Sequence, residues 1–326
     1  NPVNFTHTAG QTNIKGSLTA NDINCGNTTI AGNVVANEIT LAENTIDGTV
    51  TGTEITLGKT TLNGNITGTD VEIGELSLDG TIIANNITLA EITVVEDSEL
   101  KINGAATSGK ITLNGNVIST GSKTLTLNGN VDAFCSSINL NQGTLDTKGT
   151  FTAQNDLEID AISTFGKTVD AKGNLTINGT STFNQTVEVG KNLVITGESV
   201  FKEAVKSGEN LKITGNAAFE STEKSVEVGN DFTINGNANF ANTVTTGNNL
   251  TIEGDEIIIN GAAIAGKSEP FTEGLILLTG TTKITVNSLF ATKDITLNAN
   301  VIETADLIAK NITIQGTTIK NAALIA

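Results

Sequence analysis

Apolar side chains recur in this chain two residues apart, flanked by polar ones, and these short alternations return at a fixed spacing. Between Leu18 and Val94 the spacing is sixteen: Ile23, Ile39, Ile55, Val71 and Ile87 form one column, and Cys25, Leu41, Leu57, Ile73 and Leu89 a second. Ile30, Ile46, Leu62, Leu78 and Val94 form a third. A period of two marks a short strand with one buried face. Gly32, Gly48, Gly64 and Gly80 follow the third column by two residues, where a corner needs a small residue or one free to take positive φ. The predicted unit is strand, turn, strand, turn, and the weight of Thr, Ile, Val and Gly speaks against a helix.

From Phe151 the unit lengthens to eighteen residues. Phe165, Phe183, Phe201 and Phe219 are eighteen apart, and Phe240 follows after twenty-one, the excess being the insert Glu223-Lys224-Ser225. Leu157, Leu175, Leu193, Leu211, Phe232 and Leu250 make a second apolar column, and Ile159, Ile177, Ile195, Ile213, Ile234 and Ile252 a third. Ile258 is read as the close of the Phe series. The corner before the Leu column is always Asp or Asn: Asp156, Asn174, Asn192, Asn210, Asp231 and Asn249. These residues tolerate left-handed backbone, bond to it locally and, when stacked, bond along the stack.

A unit this short buries its apolar face only by stacking on copies of itself. The predicted fold is therefore all-β, a single-stranded parallel β-helix with rungs of 16 to 18 residues. Right-handed coiling is the expectation, although spacing alone does not set the hand. Roughly sixteen to eighteen rungs at about 4.8 Å each imply a length of about 80 Å. Five segments follow: an N-terminal arm or cap (1–17), sixteen-residue rungs (18–94), irregular rungs (95–150), eighteen-residue rungs with the Phe ladder (151–261), and C-terminal rungs with a projecting loop at 266–274 (262–326).

Units such as GNLTINGTSTF, KNLVITGESVF and NNLTIEG, with KDITLNANVIE and KNITIQG further on, resemble the repeats of secreted bacterial β-helix adhesins of the filamentous-haemagglutinin and autotransporter-passenger type. The sixteen-residue part is also similar to bactofilins, cytoskeletal β-helices that polymerise end to end. Both resemblances imply elongated, non-enzymatic chains.

Composition narrows the partners. The 326 residues hold 35 acids against 18 bases, all lysine, for a net charge of −17. Counterion release needs clustered basic residues, so nucleic acid is a poor partner, and no apolar run is long enough to insert in a membrane. The chain opens Asn1-Pro2-Val3 without a leader, which reads as a processed, secreted chain or an excerpt, with an extracellular or cell-surface location. Cys25 and Cys135 fall in rungs too far apart to bridge, so no disulfide between them is expected.

Candidate chemistry is sparse. Asp22, Glu38, Glu54 and Asp70 share a column, and stacked carboxylates are a weak calcium candidate against the simpler reading of a hydrated acidic face. No other cofactor is expected. Glycoside chemistry needs paired carboxylates in a cleft and usually aromatic platforms, but Trp and Tyr are absent and the Phe column reads as core. The single histidine, His7, has no evident catalytic partner. Ice binding needs a Thr-x-Thr grid. The column Thr29, Thr45, Thr61, Ser77 and Thr93 lacks its second threonine column.

The expected function is thus a non-enzymatic extracellular subunit of a surface fibre, self-associating through strand edges and terminal rungs. An adhesin stalk that presents binding loops to a host or neighbouring cell is the alternative. A polysaccharide-active β-helix enzyme or an ice-binding protein ranks below both.

Overall fold

The computed structural model describes all residues except 1–3, 79–80, 84–85, 95–99, 104–109, 114–116, 120–123, 128, 267–272, 321–322 and 326. The projecting loop expected at 266–274 therefore lies largely outside the described residues. Two compact units are present, Asn1–Lys167 and Thr168–Ala326. Each is a stack of parallel strands, with about 15 turns in all. No helix occurs among the described residues.

In the first unit the strand Phe5–Ile14 lies parallel to Asp22–Ile30, so this N-terminal segment forms a rung of the stack. The pairing slips between His7 and Gln11, where Gly10 takes a φ of 87° and the chain bulges outward. Sixteen-residue spacing then holds: Ile23 pairs with Ile39, Ile39 with Ile55, and Ile55 with Val71. These columns are buried because β-branched and Leu side chains on one face of each strand meet the same face of the next rung. Corner glycines stack as closely as the strands do. A Cβ on Gly48 would sit 1.9 Å from the Gly32 carbonyl oxygen, and one on Gly64 2.0 Å from that of Gly48. Only glycine fits this column.

Spacing widens beyond Val94. Lys110 pairs with Asn86, twenty-four residues earlier, Leu125 with Leu100, twenty-five earlier, and Phe151 with Val131, twenty earlier.

In the second unit the eighteen-residue register is regular, with Val169 against Val187, Leu175 against Leu193 and Ser181 against Ser199. It becomes twenty-one at the insert, where Leu211 meets Phe232. At the next irregular turn the strand Leu250–Ala265 pairs with Ile276–Ala291, and Leu250 meets Ile276 twenty-six residues on.

The Phe ladder is core. Phe183, Phe201, Phe219 and Phe240 stack with ring centroids 4.8, 4.8 and 4.5 Å apart and planes within 4° of parallel. Phe232 meets Phe219 and Phe240 edge-on at 5.9 Å. In the first unit Phe165 is buried against Phe151, edge-on at 5.4 Å. Parallel in-register strands impose the rung pitch on the rings, and edge-on neighbours supply the attraction that a face-to-face column lacks. The expected end of the series is corrected: Phe240 pairs with Ile259, and Ile258 lies beside Asn239 on the outer face. One extra residue in this turn, nineteen instead of eighteen, shifts the alternation by one.

Candidate functional site

The sequence-predicted site residues sort into ladders, each running from rung to rung. The corner amides form the most continuous one. Asn192 donates its side-chain NH2 to Asn174 Oδ1 at 2.8 Å, and Asn210 does the same to Asn192 Oδ1 at 2.8 Å. The same oxygens accept the backbone N–H of Asn192 at 3.2 Å and of Asn210 at 3.0 Å. Asp231 receives the side-chain NH2 of Asn249 at 3.0 Å, and its own backbone N–H donates to Asn210 Oδ1 at 3.1 Å. Leu275, a residue without a polar side chain, still donates its N–H to Asn249 Oδ1 at 3.1 Å. One side-chain oxygen per rung thus satisfies a corner N–H that the strand ladder cannot reach. Asp156, the first member of the column, lies in the other unit.

A second corner ladder was not singled out from the sequence. Asn237 donates its backbone N–H to Asn216 Oδ1 at 2.9 Å, and Asn237 Oδ1 accepts from the N–H groups of Asp255 at 2.7 Å and Glu256 at 3.0 Å. It follows Gly197, Gly215 and Gly236, which take φ of 145°, 140° and 154°. The signal was present in the repeated Ile-x-Gly ahead of Glu198, Asn216, Asn237 and Asp255. An open groove of about 360 Å³ lies along this corner, and Glu198, Val200, Asn216, Asn237, Glu256 and Ile258 are among the residues that line it. Its lining offers amide donors, carboxylate acceptors and small apolar side chains, a set suited to holding a polar chain by hydrogen bonds.

The carboxylate column is in register as expected: Asp22 pairs with Glu38, Glu38 with Glu54, and Glu54 with Asp70. Glu38, Glu54 and Asp70 are exposed and Asp22 is half-buried, one carboxylate to each rung. Asp22 accepts from Asn21 at 2.9 Å. Among the described residues no group of three or more His, Cys, Asp or Glu side chains comes together to hold a metal. The threonine column is likewise in register, Thr29 with Thr45 and Thr45 with Thr61.

His7 bonds through Nδ1 to Thr12 Oγ1 at 2.7 Å, which ties down the bulge beside it. Both cysteines are free thiols in the core. Burial pushes the Cys135 thiol up to about 11. A thiol held neutral in this way is a poor nucleophile.

Near the C-terminus a carboxylate is clamped across rungs. Glu303 meets Lys283 at 2.8 Å and Lys320 at 2.9 Å, and hydrogen bonds from the two ammonium groups draw its carboxyl down to about 2. Glu273 and Lys293 pair at 2.9 Å, which lowers the first and raises the second. No helix among the described residues is long and apolar enough to cross a membrane. Compared with known families, curated proteins and solved structures, the chain finds no match, and the repeat, its ladders and its exposed surfaces are the basis for any functional reading.

Proposed function

We propose that this chain is a non-enzymatic structural protein of the cell exterior, a β-solenoid subunit of a surface fibre or filament that assembles through open strand edges and terminal rungs. The observation that supports this reading is how little of the last described apolar columns is covered. Ile312 and Ile314 continue the columns of buried Ile295 and Leu297, and Ile319 continues that of buried Ile302. Yet Ile312 and Ile314 are only half-buried, and Ile319 is 49% exposed. Among the described residues, Asn311–Gln315 and Thr318–Lys320 each pair along one edge only, with Asp294–Asn298 and Val301–Ile308. An unpaired edge beside an open apolar column is a template for one more parallel rung.

Electron microscopy of the purified chain tests this. Filaments with an axial repeat equal to one subunit are expected, and Ile319→Lys should abolish them while leaving the far-ultraviolet β-sheet signal intact. Single particles at every concentration would overturn the reading.

A second reading, a stalk with adhesive surfaces, draws on the groove flanked by Glu198, Asn216, Asn237 and Glu256.

A further inference from the structure

One corner of the first unit carries an Asn-Gly pair whose backbone is left open. Asn63-Gly64 forms the bend between the strands Glu54–Leu62 and Asn65–Thr67. In the two rungs before it the same corner is Ala31-Gly32 and Asp47-Gly48, so Asn63 is the one amide among these three. The N–H groups on either side of Gly64 are held. Asn63 donates its backbone N–H to the Ile46 carbonyl at 2.8 Å, and Asn65 donates to that of Gly48 at 3.0 Å. The N–H of Gly64 has no acceptor among the described residues. Asn63 is exposed, and its side chain is tied only by donating its NH2 to Oδ1 of the equally exposed Asp47 at 2.7 Å. Asn235-Gly236 in the second unit is the contrasting case. Asn235 is exposed as well, but it closes the strand Phe232–Asn235, and the Gly236 N–H donates to the Glu253 carbonyl at 2.7 Å.

We propose that Asn63 is a site of spontaneous covalent modification, at which the backbone nitrogen of Gly64 displaces the side-chain amide. Glycine has no Cβ to shield that nitrogen. The Gly64 nitrogen gives its proton to hydroxide and attacks Asn63 Cγ. The new C–N bond closes a five-membered succinimide, the Cγ–Nδ2 bond breaks, and the amide nitrogen leaves as ammonia. Water then opens the ring at either carbonyl, giving aspartate or iso-aspartate, in which the main chain runs through the side-chain carbons. Gly236 must first release its hydrogen bond to Glu253, which slows the same attack there by roughly tenfold. Both products disturb the stack. A carboxylate takes the place of the amide that donates to Asp47, in a chain that already carries −17, and like charges in register repel. Iso-aspartate also lengthens the main chain at a corner where even a Cβ on Gly64 would sit 2.0 Å from the Gly48 carbonyl oxygen. The corner thus acts as a timer on the sixteen-residue rungs, and it runs whether or not the chain assembles.

Peptide mapping by mass spectrometry of the full chain, stored at pH 8, tests it. The local sequences Leu62-Asn63-Gly64-Asn65 and Ile234-Asn235-Gly236-Asn237 are nearly the same, so a difference between the two sites reports the fold. In the folded protein Asn63 should convert roughly tenfold faster than Asn235, and in urea, where neither glycine N–H is held, the two rates should meet. The rate at Asn63 should rise with pH, because the attacking nitrogen must lose its proton. Asn63→Gln, whose longer side chain would have to close a six-membered ring, should stay unmodified at this position and keep its melting temperature on storage. Stored wild type should drift toward the lower melting temperature of Asn63→Asp. Conversion of Asn235 as fast as Asn63 in the folded protein, or an intact Asn63 there after the urea sample has fully converted, would overturn the assignment. Conversion of Asn63 with no change in melting temperature would overturn the timer.

Discussion

Asn192 shows how much a single corner side chain does in this fold. Its Oδ1 accepts the Asn210 backbone N–H and side-chain NH2, and its own NH2 is shared between Asn174 and Glu209 at 2.8 Å each. Asn192→Ala leaves those donors without their acceptor, a loss of about 1–3 kcal/mol. Asn192→Asp keeps the acceptor and gives up the donor, as Asp231 already does two column positions away, at the cost of a carboxylate facing Glu209. Thermal melts should therefore rank wild type above Asp and Asp above Ala. Equal melting of the Asp and Ala variants would mean that the ladder's oxygens contribute nothing. Cys135 makes the opposite demand on its surroundings, since it must stay neutral. Its folded value of about 11 lies above the 9.0 of an unperturbed thiol, so between those values the unfolded chain releases a proton that the folded chain keeps. Stability attached to this group is complete below pH 9 and falls as pH rises toward 11, by about 2–3 kcal/mol at most. Urea denaturation at pH 8 and pH 10.5 should show a steeper fall for wild type than for Cys135→Ala.

Between strands, register is the quantity that matters. Placing each side chain under its own kind is what turns Phe183, Phe201, Phe219 and Phe240 into a stack, and a shift of one residue would send the whole strand's apolar set outward. The step from Phe240 to Ile259 shows such a change absorbed by one added residue in the turn. Glu303 ties three rungs together through Lys283 and Lys320. Because its carboxyl is held down to about 2, its contribution is present above the usual carboxylate range and is lost as pH falls from about 4.5 toward 2. Water reaches this clamp and screens it, so the effect on global stability is small. The local effect should be measurable: amide exchange in Thr318–Lys320, compared on the same intrinsic-rate scale, should lose protection as pH falls through that window. Glu303→Gln should show weaker protection already at neutral pH and no further loss on acidification. Protection identical in both proteins would remove the clamp from the account.

At the level of the entire chain, the regular parts of the stack were legible from the residues alone. Parallel strands in register place identical positions above one another, so a sixteen- or eighteen-residue period in Ile, Leu and Phe is a direct imprint of the rung. The corner glycines and asparagines were readable for the same reason, because a corner stacked on a corner tolerates few residue types. Turns that depart from the period were not legible in this way. Lys110 pairs with Asn86 and Ile276 with Leu250, and neither distance is marked in the sequence by a recurring residue. The placement of Ile258 failed at such a turn. The site residues divide similarly. The Asx ladder and the carboxylate column could be aligned from spacing, whereas the groove beside Asn216 and Asn237 depends on how the Gly215 and Gly236 corners bend. Ile264 pairs with Phe290 across the longest irregular turn, and no fixed period connects the two. Local alternation and repeat length specified the strand, its buried face and the act of stacking, since these follow from side chains meeting their own copies one rung away. Which outward residues become neighbours across an irregular turn was settled by backbone pairing in three dimensions, because hydrogen bonds between rungs select a register that sequence distance does not record.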